Sequence, residues 1–495
     1  MWSPAKKSRL VIVSNRLPVT IEDVGRGQYD LKTSSGGLVT CLRGLANCGV
    51  EFLWIGWPGT EVPTENVSSL RETLWKERNA IPVLLDKHIS DRYYNDFSST
   101  HTSTEIPDGV TFDEDSMDAY REANKAFADT VMCELRDGDR VWIHDYHLML
   151  LPLMLRQKID KLQLNIRLGW FLHTPFPTCD FLRVLPSMRE ILSGVLGADV
   201  LGFQTDQARH NFVDSCSQAF DRKVSAQTIP IGIEPSEFHR RLEKPRVQEA
   251  VRKLQNDFGD SKLILGVDRL DCMKGIPQKL HAFETLLEQY PKLVGRTILL
   301  QVVIPSREDL RTHQILKEDI HNLVGKLNGK FGKVNYAPVH FLYASVELDE
   351  LTALYAVADV CFVSSLRDGM NLVSYEYVAC HAGKALQFLS NDRASGSLVL
   401  SQFAGAASHL DGAFLINPLD KQSCADVLAY ALNMEAAEMA ARMRKMGEMV
   451  ETQTSCLWGA KFVDALDGLQ FSLGEAKESR RCDSVVGVGV SQGQA

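Results

Sequence analysis

Gly266-Val-Asp-Arg-Leu-Asp-Cys-Met-Lys-Gly275 is the stretch whose reading decides the fold. Ahead of it, Lys262-Leu-Ile-Leu-Gly-Val267 is an apolar run of the kind buried in a parallel sheet. Behind it, Gly275-Ile-Pro277 opens an amphipathic segment from Gln278 to Tyr290, with the proline near a helix start. Arg269 and Lys274 then fall on a strand-to-helix loop, at the carboxyl end of a strand, where open α/β sheets bind ligands. Two cations there, beside a helix N-terminus, make an anion site suited to a diphosphate. A salt-bridged surface loop, with Asp268 and Asp271 as internal partners, accounts for the same residues.

The pattern repeats on both sides. Arg9 to Val13 is a buried-strand run, and Ser14-Asn-Arg-Leu-Pro18 places Arg16 at its carboxyl end. Thr33-Ser-Ser-Gly-Gly-Leu38 opens a helical segment through Leu45, and Gly36 and Gly37 would let backbone N–H groups approach a phosphate. A simple tight turn is the commoner use of such a pair. Phe52 to Trp57, Val141 to His144, Ile166 to Phe171 and Val200 to Phe203 read as strands, with helices over Ser116 to Leu135 and Phe181 to Leu196. Such alternation predicts a mainly parallel sheet covered on both faces. Ile229-Pro-Ile-Gly-Ile-Glu-Pro235 reads as a linker. The alternation restarts at Leu263, with strands over Thr297 to Ile304, Val339 to Leu342 and Val360 to Val363, and helices from Asp426 to Leu473. The stretch from Gly474, rich in Ser, Gly and charge, is expected to be disordered. Its Gly487-Val-Gly489 lacks the spacing and the following helix of a dinucleotide site.

A chain of 495 residues implies two or three domains, and 45% apolar residues suffice for their cores. A net charge of -9 argues against a nucleic-acid partner but not against small phosphorylated ligands, which need only a local cationic pocket. Eleven scattered cysteines without a CxxC pair fit a reducing compartment better than a disulfide framework. Leu10 to Val13 is too short for a signal-peptide core, and Leu148 to Leu155, interrupted by Pro152, cannot span a bilayer. A soluble cytoplasmic protein with no membrane partner is the expectation.

Four further stretches carry candidate chemistry. His144-Asp-Tyr-His147 could bind a metal, but no third ligand is evident, and Asp145 suits a sugar hydroxyl better. Phe171-Leu-His-Thr-Pro-Phe-Pro177 holds His173 in a proline-stiffened loop, near a reacting group or simply buried and hydrogen-bonded. Arg307, in Ile304-Pro-Ser-Arg-Glu308, faces the same kind of crevice. Asp368-Gly-Met-Asn371 follows a strand and precedes a helix over Leu372 to His381. Asp368 would hold sugar hydroxyls, the first helical turn a phosphate, and Glu376 a ribose diol. Asp113-Glu-Asp115 could be mistaken for a metal-binding DxD, but acids before a helix read as capping.

The segments SNRLP, SSGGL, GWPG, DRYYN, HDYHL, FLHTPFP, GFQT, GVDRLD with KG, SLRDGMNLVSYEYVAC and SQFAGAA occur in this order. Together they resemble the trehalose-6-phosphate synthase family in its fungal form, over Ser8 to Leu469. The resemblance implies a GT-B glycosyltransferase, an α/β protein of two facing Rossmann-like domains with the active site between them. It implies an acceptor domain over 1–232, a nucleotide-sugar domain over 233–460, a helix over 461–475 packing back on the first, and a disordered tail over 476–495. It implies retaining transfer of glucose from UDP-glucose to glucose 6-phosphate, giving trehalose 6-phosphate and UDP, with no cofactor and no metal. Arg16, Tyr94, Asp145 and Arg307 would bind the acceptor. Gly36, Gly37, Arg269, Lys274, Val346, Asp368, Gly369, Met370, Asn371, Leu372, Val373, Ser374, Tyr375 and Glu376 would bind the donor. Arg269, Lys274, His173 and Asp368 would act at the transferred sugar. Homo-oligomers or subunits of a trehalose synthase complex are the possible protein partners.

Two stretches depart from the family pattern. Ser99 to Gly109 lacks the family's tryptophan and HY pair, and His381 to Ser395 is longer than expected. These admit two alternatives: a non-catalytic regulatory subunit, or a synthase with another phosphorylated acceptor.

Overall fold

The computed structural model describes residues 9–25, 28–33, 36–93, 113–306, 311–382 and 396–468. The strands, in chain order, are β1 (Leu10–Arg16), β2 (Val19–Gly25), β3 (Gln28–Thr33), β4 (Phe52–Trp57), β5 (Ala80–Pro82), β6 (Arg140–His144), β7 (Arg167–Leu172), β8 (Val200–Phe203), β9 (Gln227–Thr228), β10 (Lys262–Arg269), β11 (Thr297–Ile304), β12 (Val339–Tyr343), β13 (Val360–Val363), β14 (Ser397–Ser401) and β15 (Phe414–Ile416). They form two parallel sheets, ordered β5-β4-β1-β6-β7-β8-β9 and β12-β11-β10-β13-β14-β15, and an antiparallel hairpin β2-β3. The apolar runs read as strands are the central ones: Leu10 to Val13, Leu263 to Leu265 and Val360 to Val363 are buried, as helix-covered strands must be. The expected helix–strand alternation in two halves is therefore what the chain builds.

The order within each sheet decides where ligands can sit. In the second sheet the order reverses between β10 and β13, and in the first between β1 and β6. At such a switch point the connections leave on opposite faces, and a crevice opens at the carboxyl ends.

Several local expectations change. The single helix over Phe181 to Leu196 is two, Cys179–Leu182 and Met188–Val195, because Pro186 cannot continue a helix. The helical stretch from Asp426 is three helices, Lys421–Leu432, Ala436–Thr452 and Ser455–Leu466, and residues beyond 468 lie outside the described set. Asp113 caps the Glu114–Glu134 helix by accepting from the N–H of Asp115, so the capping reading holds.

The linker is not a loose tether. Ile229, Ile231 and Ile233 are buried, and Ile233 bridges Thr454 of the returning chain. Glu234 accepts from the Ser455 hydroxyl at 2.6 Å and the Cys456 N–H at 2.9 Å. The Ser455–Leu466 helix then packs on the first half. Phe462 stacks on Trp142 with ring centroids 4.2 Å apart, over Gly169 and Gly202. Two chain passages thus run side by side between the halves.

The expectation of thiols only needs correction at one pair. Cys48, ending the Gly37–Asn47 helix, is disulfide-bonded to Cys456, which starts the returning helix. Sequence spacing could not show this, because 408 residues separate them and only the fold brings the two helices together. Alkylation of the chain in denaturant without reductant should leave Cys48 and Cys456 in one cross-linked peptide pair, read by peptide mass. Recovery of both as separately alkylated peptides would show the pair unformed.

Candidate active site

The second half builds its share from the end of β10. Side chains along a strand alternate faces, so the orientation of Asp268 sets that of Arg269. Asp268 is turned inward onto the Lys279 ammonium at 2.6 Å and accepts from the Gln301 amide at 2.9 Å, all of them buried. Arg269 consequently leaves the sheet on the other side, 62% exposed. Gly275 then turns the chain at φ 64°, with the Ser364 carbonyl only 2.1 Å from where a Cβ would stand. That turn brings the Lys274 ammonium within 2.6 Å of the Asp368 carboxylate, in the loop after β13.

Asp368 also accepts from Asn371 at 3.1 Å and Ser365 at 3.3 Å. Burial pushes its carboxyl up, but the Lys274 charge and hydrogen bond, Asn371 and the Arg269 charge outweigh this and hold it below its ordinary value. These three bonds all fall on Oδ2, which leaves Oδ1 for a ligand hydroxyl. Asn371 caps the Leu372–His381 helix by accepting from the Ser374 N–H at 3.0 Å. Across the cleft, Gly37 begins the Gly37–Asn47 helix, and a Cβ there would meet Leu372 at 3.3 Å. Two helix N-termini therefore face one space, each offering unpaired N–H groups and a positive dipole end. Gly36 precedes the first of them without a side-chain cap.

Other expected donor residues are less alike in position than in sequence. Met370, Ser374 and Tyr375 turn inward and are buried, while Leu372 and Val373 are half-buried. Glu376, one turn deeper, accepts from the Tyr355 hydroxyl at 2.7 Å, and burial pushes its carboxyl up to about 7. Val346 lies before the Leu348–Val357 helix and packs on the core shared by the two halves.

The first half contributes Arg16, at the end of β1, and Asp145, just past β6. The Arg16 guanidinium lies 4.7 Å from the Trp57 ring and donates to the Gly59 carbonyl at 3.4 Å. Asp145 has φ 73° and ψ 174°, a region essentially reserved for glycine. Its carboxylate accepts from the His173 N–H at 3.2 Å, and burial pushes the acid up to about 6 against that bond and the Arg269 charge. Arg269 thus acts on an acid of each half, Asp145 and Asp368.

His173 is placed by its backbone. Its ring lies between Gln204, 3.3 Å from Nδ1, and His144, 3.1 Å from Nε2, and burial lowers it to about 3. A neutral ring accepting from the Gln204 amide carries its proton on Nε2, toward His144. Both ring nitrogens are engaged, and the atoms turned outward are the N–H held by Asp145 and the carbonyl against Gly369. A Cβ on Gly369 would stand 1.9 Å from that carbonyl oxygen.

Tyr94, Arg307, the stretch Ser99 to Gly109 and residues 383–395 lie outside the described set. Among the described residues, no group of three or more His, Cys, Asp or Glu is placed to hold a metal ion. Gln204 and Trp57 are the participants that sequence reasoning passed over. Both lie at or just past a strand's carboxyl end, in GFQT and GWPG, the signal that marked Arg16 and Asp145.

Asp145 carries both backbone strain and a partly buried charge, so it costs stability. Its folded pKa is raised, so between about pH 4 and 6 the unfolded chain ionises first and stability falls as pH rises. Asp145→Asn should therefore be more stable than the parent by about 1–2 kcal/mol at pH 8, with no gain below pH ~4. Denaturant unfolding at both pH values checks this; an equally stable or weaker variant at pH 8 removes the charge account.

This geometry is shared with proteins of known chemistry. Residues 8–468 match the model of glycosyltransferase family 20. The alpha,alpha-trehalose-phosphate synthase [UDP-forming] of Emericella nidulans is 45% identical over 479 residues, covering 94% of this chain and 93% of its own. The E. coli trehalose-6-phosphate structure bound with UDP-2-fluoro glucose superposes with a TM-score of 0.81 at 31% identity, over 94% of this chain and all of that one. An alpha,alpha-trehalose-phosphate synthase (UDP-forming) from Burkholderia xenovorans, in complex with glucose-6-phosphate, gives 0.80 at 30% identity, over 93% of this chain and all of that one. Two facing Rossmann-like halves are thus the GT-B arrangement, and with a match across nearly the whole chain this protein belongs to glycosyltransferase family 20.

Proposed function

We propose that this chain is a UDP-forming trehalose-phosphate synthase, moving glucose from UDP-glucose to glucose 6-phosphate with retention at the anomeric carbon. The observation that carries the reading is the loop after β10, which sets Lys274 on Asp368 at 2.6 Å and carries Arg269, opposite the facing helix starts at Gly37 and Leu372. A cation there sits where the diphosphate of a donor and the hydroxyls of an acceptor would meet.

The residues divide the work as follows. The UDP diphosphate lies against Arg269, Lys274 and the first turn of the Leu372–His381 helix, with Gly36 and Gly37 closing over it. Glu376 takes the ribose diol, and Val346 contacts the base through its backbone. Asp368 and the Gly369–Met370 backbone hold the donor glucose. Arg16 and Arg307 take the phosphate of the acceptor, and Tyr94 and Asp145 its sugar hydroxyls. As the sugar–phosphate bond breaks, negative charge grows on UDP, and Arg269 and Lys274 stabilise it; they supply the charge that a divalent ion supplies in other transferases. The glucosyl ring becomes positive, facing the His173 carbonyl and the Asp368 carboxylate. The His173 ring is neutral and committed to Gln204 and His144, so it takes no proton. The leaving diphosphate oxygen is the base that accepts the acceptor's hydroxyl proton.

Both substrates are polyanions that do not cross a bilayer unaided, which supports a reaction in the compartment where they are made, the cytoplasm. Among the described residues no helix is long and apolar enough to cross a membrane.

Purified chain with UDP-glucose and a panel of phosphorylated acceptors should release UDP with glucose 6-phosphate. Release only with another acceptor would reassign the substrate, and UDP binding without turnover would make the chain a regulatory subunit. Arg269→Ala should lower kcat roughly 10²–10³-fold with an unchanged circular dichroism spectrum; an unaltered rate would remove Arg269 from the leaving-group site. Gly369→Ala, whose methyl cannot share space with the His173 carbonyl, should hold the halves apart and lower kcat at least tenfold, about 1.4 kcal/mol of barrier. A fully active Gly369→Ala chain would show that this close approach is not needed for transfer.

A further inference from the structure

The Gly37–Asn47 helix runs from the donor site to the crossing of the two chain passages. Its first residue faces Leu372 across the cleft. Its eleven residues, at about 1.5 Å each, put the other end roughly 16 Å away. There Cys48 is bonded to Cys456. Between those ends the helix lies against both passages. The Cys41 thiol donates to the Gly232 carbonyl at 3.3 Å. A Cβ on Gly44 would stand 2.0 Å from the Ser455 hydroxyl oxygen and 3.2 Å from the Glu234 side chain.

Cys456 is held from two sides at that crossing. Its N–H donates to Glu234, which opens the Pro235–Leu242 helix of the second half, and its sulfur is bonded to the first half. The Ser455 N–H adds a bond to the Ile233 carbonyl at 3.1 Å. Two residues past Cys456, the Trp458 ring packs edge-on against the His173 ring, with centroids 5.9 Å apart. The disulfide therefore joins two helices that each reach the site, one at Gly37 and one at His173. It is also open to solvent, since Cys48 is exposed and Cys456 half-buried. Exposed disulfides are the labile ones, and in a cytoplasm such bonds are usually redox-sensing. The two helices do not depend on it for their packing, because Gly44 and Gly459 already admit close contact between them.

We propose that Cys48–Cys456 is a thiol–disulfide switch on donor binding, formed by oxidation and opened by a small-molecule thiol. The thiolate attacks the sulfur of Cys48, the more exposed of the two residues. The S–S bond breaks, and Cys456 leaves as a thiolate that takes up a proton. A second thiol then resolves the mixed disulfide on Cys48. Two small thiols are thus oxidised to one disulfide while the two cysteines are reduced. With the bond intact, the far end of the Gly37–Asn47 helix is fixed to the crossing, and Gly37 is held against Leu372. With it open, helix and crossing shift independently, and the halves part more readily. The bonded form is the tighter binder of a nucleoside diphosphate.

This inference rests on the donor site proposed above, so its test carries one readout that does not. The full chain is prepared oxidised, and again after incubation with reduced glutathione, and both forms are titrated calorimetrically with UDP. Small-angle scattering without ligand reports the separation of the halves. UDP should bind the oxidised chain roughly fivefold or more tightly, and the reduced chain should have the larger radius of gyration. Cys48→Ser should match the reduced parent and ignore glutathione, and Cys456→Ser makes the same test if Cys48→Ser does not fold. Both variants keep the exposed thiols of Cys133 and Cys272, so a glutathione response that persists in them would overturn the switch. A bond that never forms, or that glutathione leaves intact in the folded chain, read by peptide mass, would also overturn it. Equal UDP affinity in the two forms would do the same. UDP binding by neither form would remove the donor reading, and the switch would then stand or fall on the scattering difference.

Discussion

The Arg269 charge acts on two carboxylates that belong to different halves of the molecule, Asp145 and Asp368. Asp145 follows β6 and Asp368 follows β13, each beside the strand at which its sheet reverses order. Positive charge placed where two crevices open toward each other can hold two anionic ligands at one distance. A reaction that joins a sugar nucleotide to a sugar phosphate needs that arrangement more than it needs a side-chain base. Preorganised charge costs no reorganisation when the bond breaks.

Holding a cation in place has structural requirements elsewhere. The buried Asp268–Lys279–Gln301 cluster fixes the end of β10, although buried ion pairs are weak contributors to stability in their own right. Asp145 adopts a backbone conformation that favours glycine and keeps its acid in a partly dry setting. Such costs recur at functional sites, where the surrounding structure over-determines a conformation that the residue would not choose. Here the surroundings are substantial. The paired crossing of the linker and the returning chain, the Cys48–Cys456 bond and the Phe462–Trp142 stack all brace the first half against the second.

Much of this was legible beforehand, and the reasons are specific. Central parallel strands are buried on both faces, so β1, β10, β11 and β13 announce themselves as apolar runs, and the residue after each run marks a crevice. Arg16, Asp145, Arg269 and Asp368 were singled out that way. Very short strands and half-exposed hairpins carry no such signal. The three-residue strands β5 and β15 and the alternating β2-β3 hairpin fall outside the expectations because short or half-exposed strands lack a continuous apolar run. His173 shows a different limit. Its loop marked the residue as important, but which atoms it presents depends on Gln204 and His144, and those contacts exist only once β6, β7 and β8 lie side by side.

The amino-acid sequence by itself determined the class of fold, the division into two halves and the list of residues at strand ends, because apolar periodicity and loop chemistry are local properties. Tertiary structure alone decided which strand ends adjoin a switch point, that Gly37 meets Leu372 and Gly369 meets the His173 carbonyl, and that Cys48 reaches Cys456. Those are distances between segments far apart in the chain, and they follow from how two sheets pack and not from the order of residues within either.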